Sequence, residues 1–319
     1  MKSIKQGVAL AMMLSATMIS SAHALTVYTA GPGSLAKSLA SGYEKKTGVK
    51  VNIFQATTGK VMARLEAEQA NPQADVLISA SWDTAEDLHN RGWLMPYQSG
   101  NAGLVPSSLK STDYVAQGIS ALGIVWNSKS GTPEPKEWRD LTEAAFKNQV
   151  TTPDPALSGA SLDLLIGLQN GLGDKAWALF EALKNNGMVV SGPNAQAVTP
   201  VMQGAKAAVF GAVDYVSYGN IAQGESLKVI FPASGTVIAP RPMMILKTTQ
   251  HADDAKAFVD YVLSPEGQAM VADAWLMPAR SDVKAKRPLL GELKILPTTS
   301  DGSSERSAVL SRFNTLFGQ

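Results

Sequence analysis

Cysteine is absent from the chain, and histidine is nearly so. Without a thiol there is no disulfide framework, no thiolate nucleophile and no C-x-x-C redox pair. Of the three histidines, His23 lies in an N-terminal stretch that reads as removable. His89 sits in the charged segment DLHNRG and His251 in a turn before an acidic helix. Both read as solvated residues and not as ligands, and neither belongs to an H-E-x-x-H motif. A G-x-S-x-G nucleophile elbow is missing too. No sign of charge is in excess: 28 basic and 27 acidic residues give a net charge of +1. With no basic run either, nucleic acid is not an expected partner. Internal repeats, low-complexity tracts and long linkers are lacking. The apolar run Val8 to Ile19 is shorter than the ~20 residues needed to span a bilayer.

That run has another meaning. Lys2 and Lys5 precede it, and Ala22-His23-Ala24 follows it as a small-residue cleavage site. Residues 1–24 therefore read as a signal peptide, and the mature chain would begin at Leu25. Loss of Lys2 and Lys5 takes the net charge from +1 to −1. With 319 residues, 45% apolar and 17% charged, the chain suits a soluble globular protein of one large or two medium domains. A core of that size needs no disulfides, and export without cysteine points to a bacterial periplasm.

The patterning is α/β. Leu25 to Thr29 reads as a strand, Leu35 to Lys46 as an amphipathic helix ended by Gly48, and Val49 to Phe54 as a second strand. From Ala56 to Trp82 the order is loop, helix, turn, buried strand, loop. Thr57-Thr58-Gly59 opens that helix, Asn71-Pro72 ends it, and Asp75 to Ile78 is an apolar run that a parallel sheet would bury. This β-α-β-α-β order implies right-handed crossovers and a parallel sheet, with ligands outside the carboxyl ends of its strands. A helix is expected over Thr84 to Asn90 and loop over 98 to 117. Ile119 to Trp126 reads as a strand crossing to a second domain. Gln149 to Thr152 and Ala207 to Val213 read as strands, Leu162 to Asn170 and Asp174 to Asn185 as helices, and Pro200 to Gln203 as the start of a short one. Leu227 to Pro232 is taken as the returning strand. Helices follow over Asp253 to Leu263 and Gly267 to Trp275, the second capped by Ser264 with Pro265 in its first turn. The tail reads as polar loop with a short helix over Ser307 to Leu316.

Beside the signal peptide and the β-α-β opening, four segments carry a resemblance: NPQADVLIS (71–79), PDPALSGAS (153–161), AVDY (212–215) and DDAKAFVDYVLSPEGQAMVA (253–272). In this order they resemble bacterial extracellular solute-binding proteins of ABC importers. The subgroup is the one that holds ferric-ion-binding proteins and relatives for phosphorylated sugars or phosphonates. The resemblance covers nearly the whole mature chain. It implies a two-lobed type II periplasmic-binding-protein fold, each lobe a mostly parallel sheet flanked by helices, closing over a ligand by bending a two-strand hinge. Lobe 1 would hold residues 25–125 and 232–279, and lobe 2 residues 126–231 and 280–319. It also implies a monomer with no cofactor that meets an inner-membrane permease.

The binding residues follow from the loops. Thr57, Thr58 and Gly59 at a helix start form a candidate anion cradle, because first-turn N–H groups are unpaired and the dipole end is positive. Ordinary threonine capping is the competing account. Ser158, Gly159, Ala160 and Ser161 make a second such start in the other lobe, so two N-termini would clamp one phosphate, phosphonate or carboxylate. Ser79 and Ser81 could add hydroxyl donors. Ala30 and Gly31 lie where a backbone N–H could approach a ligand, or simply in a tight turn. Asp214 could pair with an amine or sugar hydroxyl and Tyr215 could donate to an anion; a solvated loop carboxylate is the plainer account. Lys60 and Arg64 share a helix face, and Trp82 and Trp126 read as packing residues.

The leading function is capture of a small anionic solute, best an organic phosphate or phosphonate, for delivery to a permease without bond breaking. The alternative is ferric iron, held by Asp214, Tyr215 and Tyr218. Ferric-binding members use adjacent tyrosines and an N-terminal histidine; here the tyrosines are three apart and no histidine matches. An exported hydrolase or lyase would need an acid–base pair or a metal-bound water, and no spaced pair supports one.

Overall fold

The computed structural model describes residues 24–296 and 303–318. All of the expected signal peptide except Ala24 lies outside the described residues. The chain opens with β1 (Ala24–Thr29), α1 (Gly33–Thr47), β2 (Lys50–Gln55), α2 (Thr58–Ala67), β3 (Val76–Ile78) and α3 (Trp82–Asn90). Strand β4 (Tyr114–Asn127) leads to β5 (Val150–Thr152), α4 (Gly159–Leu172), α5 (Asp174–Asn185), β6 (Val189–Val190), α6 (Asn194–Met202), β7 (Ala208–Val213), α7 (Asp214–Ala222) and β8 (Leu227–Ile230). The chain closes with β9 (Ile238–Ile245), α8 (Ala252–Val262), α9 (Pro265–Asp273), β10 (Met277–Pro278) and α10 (Ser303–Phe317).

The opening is as expected. β1 lies parallel to β2 and β3, with Val27 facing Ile53 on one side and Val76 on the other. Gly48, at φ 78°, ends α1 in the left-handed conformation and closes on the Glu44 carbonyl. Leu25, Leu39, Val76 and Phe258 belong to one buried core, and Leu165, Phe180, Phe210 and Phe313 to another. These are the cores of the two lobes.

β4 joins them. It is buried at all 14 positions, and its partners change at Ala121 and Leu122. Up to Ala121 it pairs with β9; beyond, it pairs with β7 and β8. The strand therefore takes in Tyr114 to Gln117, which composition marks as loop. The returning strand is β9 and not Leu227 to Pro232, since β8 stays beside the second half of β4. β9 carries Pro240 and Pro242, which argue against a strand. Both face β4 where its register shifts between Ala116 and Ile119, so the ladder does not need their missing N–H groups.

Three other boundaries move. α6 begins at Asn194, six residues before Pro200; the buried face of Ala197, Val198 and Val201 outweighs the hydrogen bond that Pro200 cannot make. Asp214 starts a helix directly after β7 instead of a loop. The tail is divided: Leu289, Leu290 and Leu293 pack on the first core, whereas Leu296 and α10 join the second. The expected placement of all of 280–319 in lobe 2 is thus corrected for its first part. The two histidines bind carboxylates: His89 Nδ1 lies 2.7 Å from Asp113 and His251 Nδ1 3.2 Å from Asp75, both of which are buried.

Gly123 lies just past the switch in β4, and a Cβ there would sit 2.8 Å from the Ile230 carbonyl oxygen. Backbone cannot yield as a flexible side chain does, so β8 would have to move. Gly123→Ala should lower stability by about 1–3 kcal/mol, read as a lower denaturant midpoint. Relief of chain entropy alone would predict the opposite sign.

Candidate functional site

A cleft of about 530 Å³ lies between the lobes. Four helix N-termini line it: Thr57 and Thr58 of α2 on one wall, with Ser158 and Ala160 of α4, Asn194 and Ala195 of α6, and Tyr215 and Val216 of α7 opposite. First-turn N–H groups have no intrahelical acceptor, and each helix brings a positive dipole end. Lys60 and Arg241 also line the cleft.

Thr57 is not an ordinary cap. Its side chain makes no capping bond, and its hydroxyl is buried without a partner among the described residues. Ser158 does cap α4: its Oγ accepts the Ser161 N–H at 3.2 Å and the Asn194 side-chain NH2 at 2.7 Å. Asn194 Oδ1 in turn accepts the Val213 N–H at 3.1 Å. A backbone N–H can only donate, so this contact fixes the amide orientation of Asn194. Ser158 then has both lone pairs engaged, and its own proton is left as a donor.

Arg241 was not foreseen. It is 1% exposed, and its Nη1 donates to the Ala30 carbonyl at 3.2 Å. Its guanidinium carbon lies 5.0 Å from the Tyr215 ring centre, and its Nε has no partner among the described residues. No carboxylate pairs with it among the described residues, although burying an unpaired cation is costly. A lone arginine in a buried apolar run was the available sequence signal; the flanking prolines hid the strand.

Of the expected site residues, Ala30, Gly31, Thr57, Thr58, Ser158, Ala160 and Tyr215 line the cleft. The amides of Ala30 and Gly31 are spent, on the Ile78 carbonyl at 2.8 Å and Thr29 Oγ1 at 3.0 Å, so the tight-turn account fits them. Gly59 and Gly159 lie where the walls meet. A Cβ on Gly159 would come 2.8 Å from that of Ser81, and one on Gly59 3.1 Å from the Ala156 oxygen. Ser79, Ser81 and Ser161 are buried, with hydroxyls donating to Thr84, Asp163 and the Pro153 carbonyl, and do not line the cleft.

Asp214 is corrected outright. It has no exposed surface, and its carboxylate accepts the Ala121 N–H at 2.8 Å, the Tyr215 N–H at 2.7 Å and Arg287 at 2.5 Å. Burial pushes its pKa up, while Arg287 holds it down. Tyr218 stacks on Trp275 with ring centres 6.1 Å apart and does not line the cleft. Asp214, Tyr215 and Tyr218 therefore do not form one oxygen cage. Trp82 packs on Tyr114 at 5.0 Å, as a core residue would, and Arg64 pairs with Glu68 at 2.7 Å on the surface.

Beside the cleft the lobes are tied together. Arg306 of α10 reaches Asp163 of α4 at 2.9 Å and also pairs with Asp83 of α3. Ser81 donates to Asp163 at 2.9 Å. Burial pushes the Asp163 pKa up to about 6, with Arg306 opposing and Asp83 adding to the rise.

Residues 71–301 match the family model for bacterial extracellular solute-binding proteins. The chain is 27% identical over 299 residues to a Salmonella typhimurium protein named as a 2-aminoethylphosphonate-binding periplasmic protein, covering 85% of this chain and 84% of that one. The periplasmic binding protein AfuA of Actinobacillus pleuropneumoniae, solved with fructose-6-phosphate, has a TM-score of 0.84 at 24% identity, covering 92% of this chain and 98% of that one. Iron-bound HitA from Pseudomonas aeruginosa has a TM-score of 0.81 at 22% identity, covering 92% and 99%. At such identities these structures establish the type II periplasmic-binding-protein fold and nothing about the ligand.

Arg306→Gln would leave Asp83 and Asp163 facing each other without their cation. Asp163 would then rise above 6, so at pH 8 it must either stay ionised while buried or bind a proton from solution. At pH 5 it is protonated without that cost. The variant should be less stable than the parent by about 3 kcal/mol at pH 8 and by clearly less at pH 5, measured by denaturant unfolding.

Proposed function

The chain belongs to the bacterial extracellular solute-binding proteins, and we propose that it captures a small organic phosphate or phosphonate in the periplasm for an ABC importer. Arg241 carries this reading: a buried guanidinium at the cleft, without a carboxylate partner among the described residues, awaits an anion. A phosphate or phosphonate group would accept from Arg241, from the Thr57 and Ser158 hydroxyls and from the first-turn N–H groups of α2 and α4. These fixed donors would replace the water that a buried dianion loses. A relative named for 2-aminoethylphosphonate binding supports the phosphoryl class. Ferric iron fits less well, because Asp214 is committed to Arg287.

In this reading residues 1–24 direct export and are removed, and the protein works as a monomer. The lobes close by bending β4 and β9 where they run side by side. Ser81 and Asp83 of the first lobe meet Asp163 and Arg306 of the second across the cleft, so the closed surface that a permease would read includes α10.

The test is thermal unfolding of ligand-free protein with fructose-6-phosphate, glycerol-3-phosphate, propylphosphonate and ferric citrate. A ligand at 100 times its Kd stabilises by roughly 2.7 kcal/mol. Arg241→Met should weaken phosphoryl binding by about 10- to 100-fold, as loss of a charged hydrogen bond does. The ligand-free variant should unfold at a higher temperature than the parent, because an unpaired buried cation is gone. Stabilisation by ferric citrate alone would overturn the proposal.

A further inference from the structure

Resting on that reading, we infer that the cleft selects phosphates and phosphonates whose body carries no ammonium group. The argument is one of charge. Lys60 and Arg241 line the cleft, and among the described residues no aspartate or glutamate does. Four helix N-termini add positive potential. Two cations match a phosphoryl dianion, and nothing remains to neutralise a positive group on the same ligand.

The nearby acids are committed elsewhere. Asp154, in the loop before α4, accepts the Ala156 N–H at 2.8 Å and does not line the cleft. Asp214 lies beneath the wall, bound to Arg287. The Tyr215 ring, a π-face that could hold an ammonium, already has the Arg241 guanidinium 5.0 Å from its centre. Ser158 has no lone pair to spare. An ammonium brought in here would lose its water without gaining a counter-charge. Beside the cations the lining mixes uncharged polar groups such as Gln55 with small and apolar ones, including Ala80, Leu157, Ala160 and Val213. It suits an uncharged carbon skeleton. The inference thus departs from the 2-aminoethylphosphonate for which a relative is named.

Calorimetry on the ligand-free protein with matched pairs tests it: propylphosphonate against 2-aminoethylphosphonate, propyl phosphate against phosphoethanolamine, and glucose-6-phosphate against glucosamine-6-phosphate. In every pair that binds, the amine-free member should bind at least tenfold tighter. Equal or tighter binding of the amine in any pair overturns the inference and leaves the phosphoryl reading standing. No binding by any of the six sinks the phosphoryl reading and the inference with it. Ala195→Asp adds a carboxylate at an exposed lining position in the first turn of α6, where a helix tolerates one. It should shift the ratio at least tenfold toward the amines; an unchanged ratio means that charge balance is not the selector.

Discussion

Where the lobes meet, a carboxylate with no exposed surface receives two backbone amides and a guanidinium. The amide of Ala121 belongs to the last β4 residue paired with β9, and Leu122 begins the pairing with β7. Asp214 therefore fastens the start of α7 to the residue at which β4 changes partners. Arg287 brings in the tail, and its Nη1 also donates at 3.0 Å to the carbonyl of Trp275, which is itself held at φ 64°. Removing Arg287 would leave the buried carboxylate without its counter-charge, which is why this tie has no slack. It sets where Tyr215 and Val216 stand relative to Arg241, because β9 pairs with β4 next to the same point.

The charged groups that line the resulting cleft are all donors. Amides at helix starts, hydroxyls whose acceptor sites are filled or unpartnered, and one cation held by aromatic and carbonyl contacts all face the same volume. Such a site is poorly satisfied when empty. In the proposed reading, its stability is spent so that an anion can be taken out of water without rebuilding its surroundings. The same logic accounts for the glycines at 59 and 159: side chains there would hold the walls apart.

The sequence made the opening β-α-β-α-β unit and the helix starts near Thr58 and Gly159 legible, because periodicity and helix-start residues are local signals. Arg241 and Asn194 were not legible. Arg241 sits between two prolines that deny the strand, and only the register shift of β4 explains why they are tolerated there. Asn194 matters through contacts to Val213 and Ser158, 19 and 36 residues away. Asp214 misled for the reverse reason. A carboxylate after a buried strand has the right position for a ligand, but its partners come from residues 121 and 287, which no local pattern joins to it.

The insertion of β9 between β3 and β4 has a consequence for the nascent chain. Residues 24–127 contain β1 to β4, yet β3 and β4 have no common neighbour until residues 238–245 arrive. The first lobe thus cannot complete its sheet early in synthesis. Pairings this distant in sequence form slowly. The compaction of the first lobe therefore waits on a segment made more than a hundred residues after the end of β4.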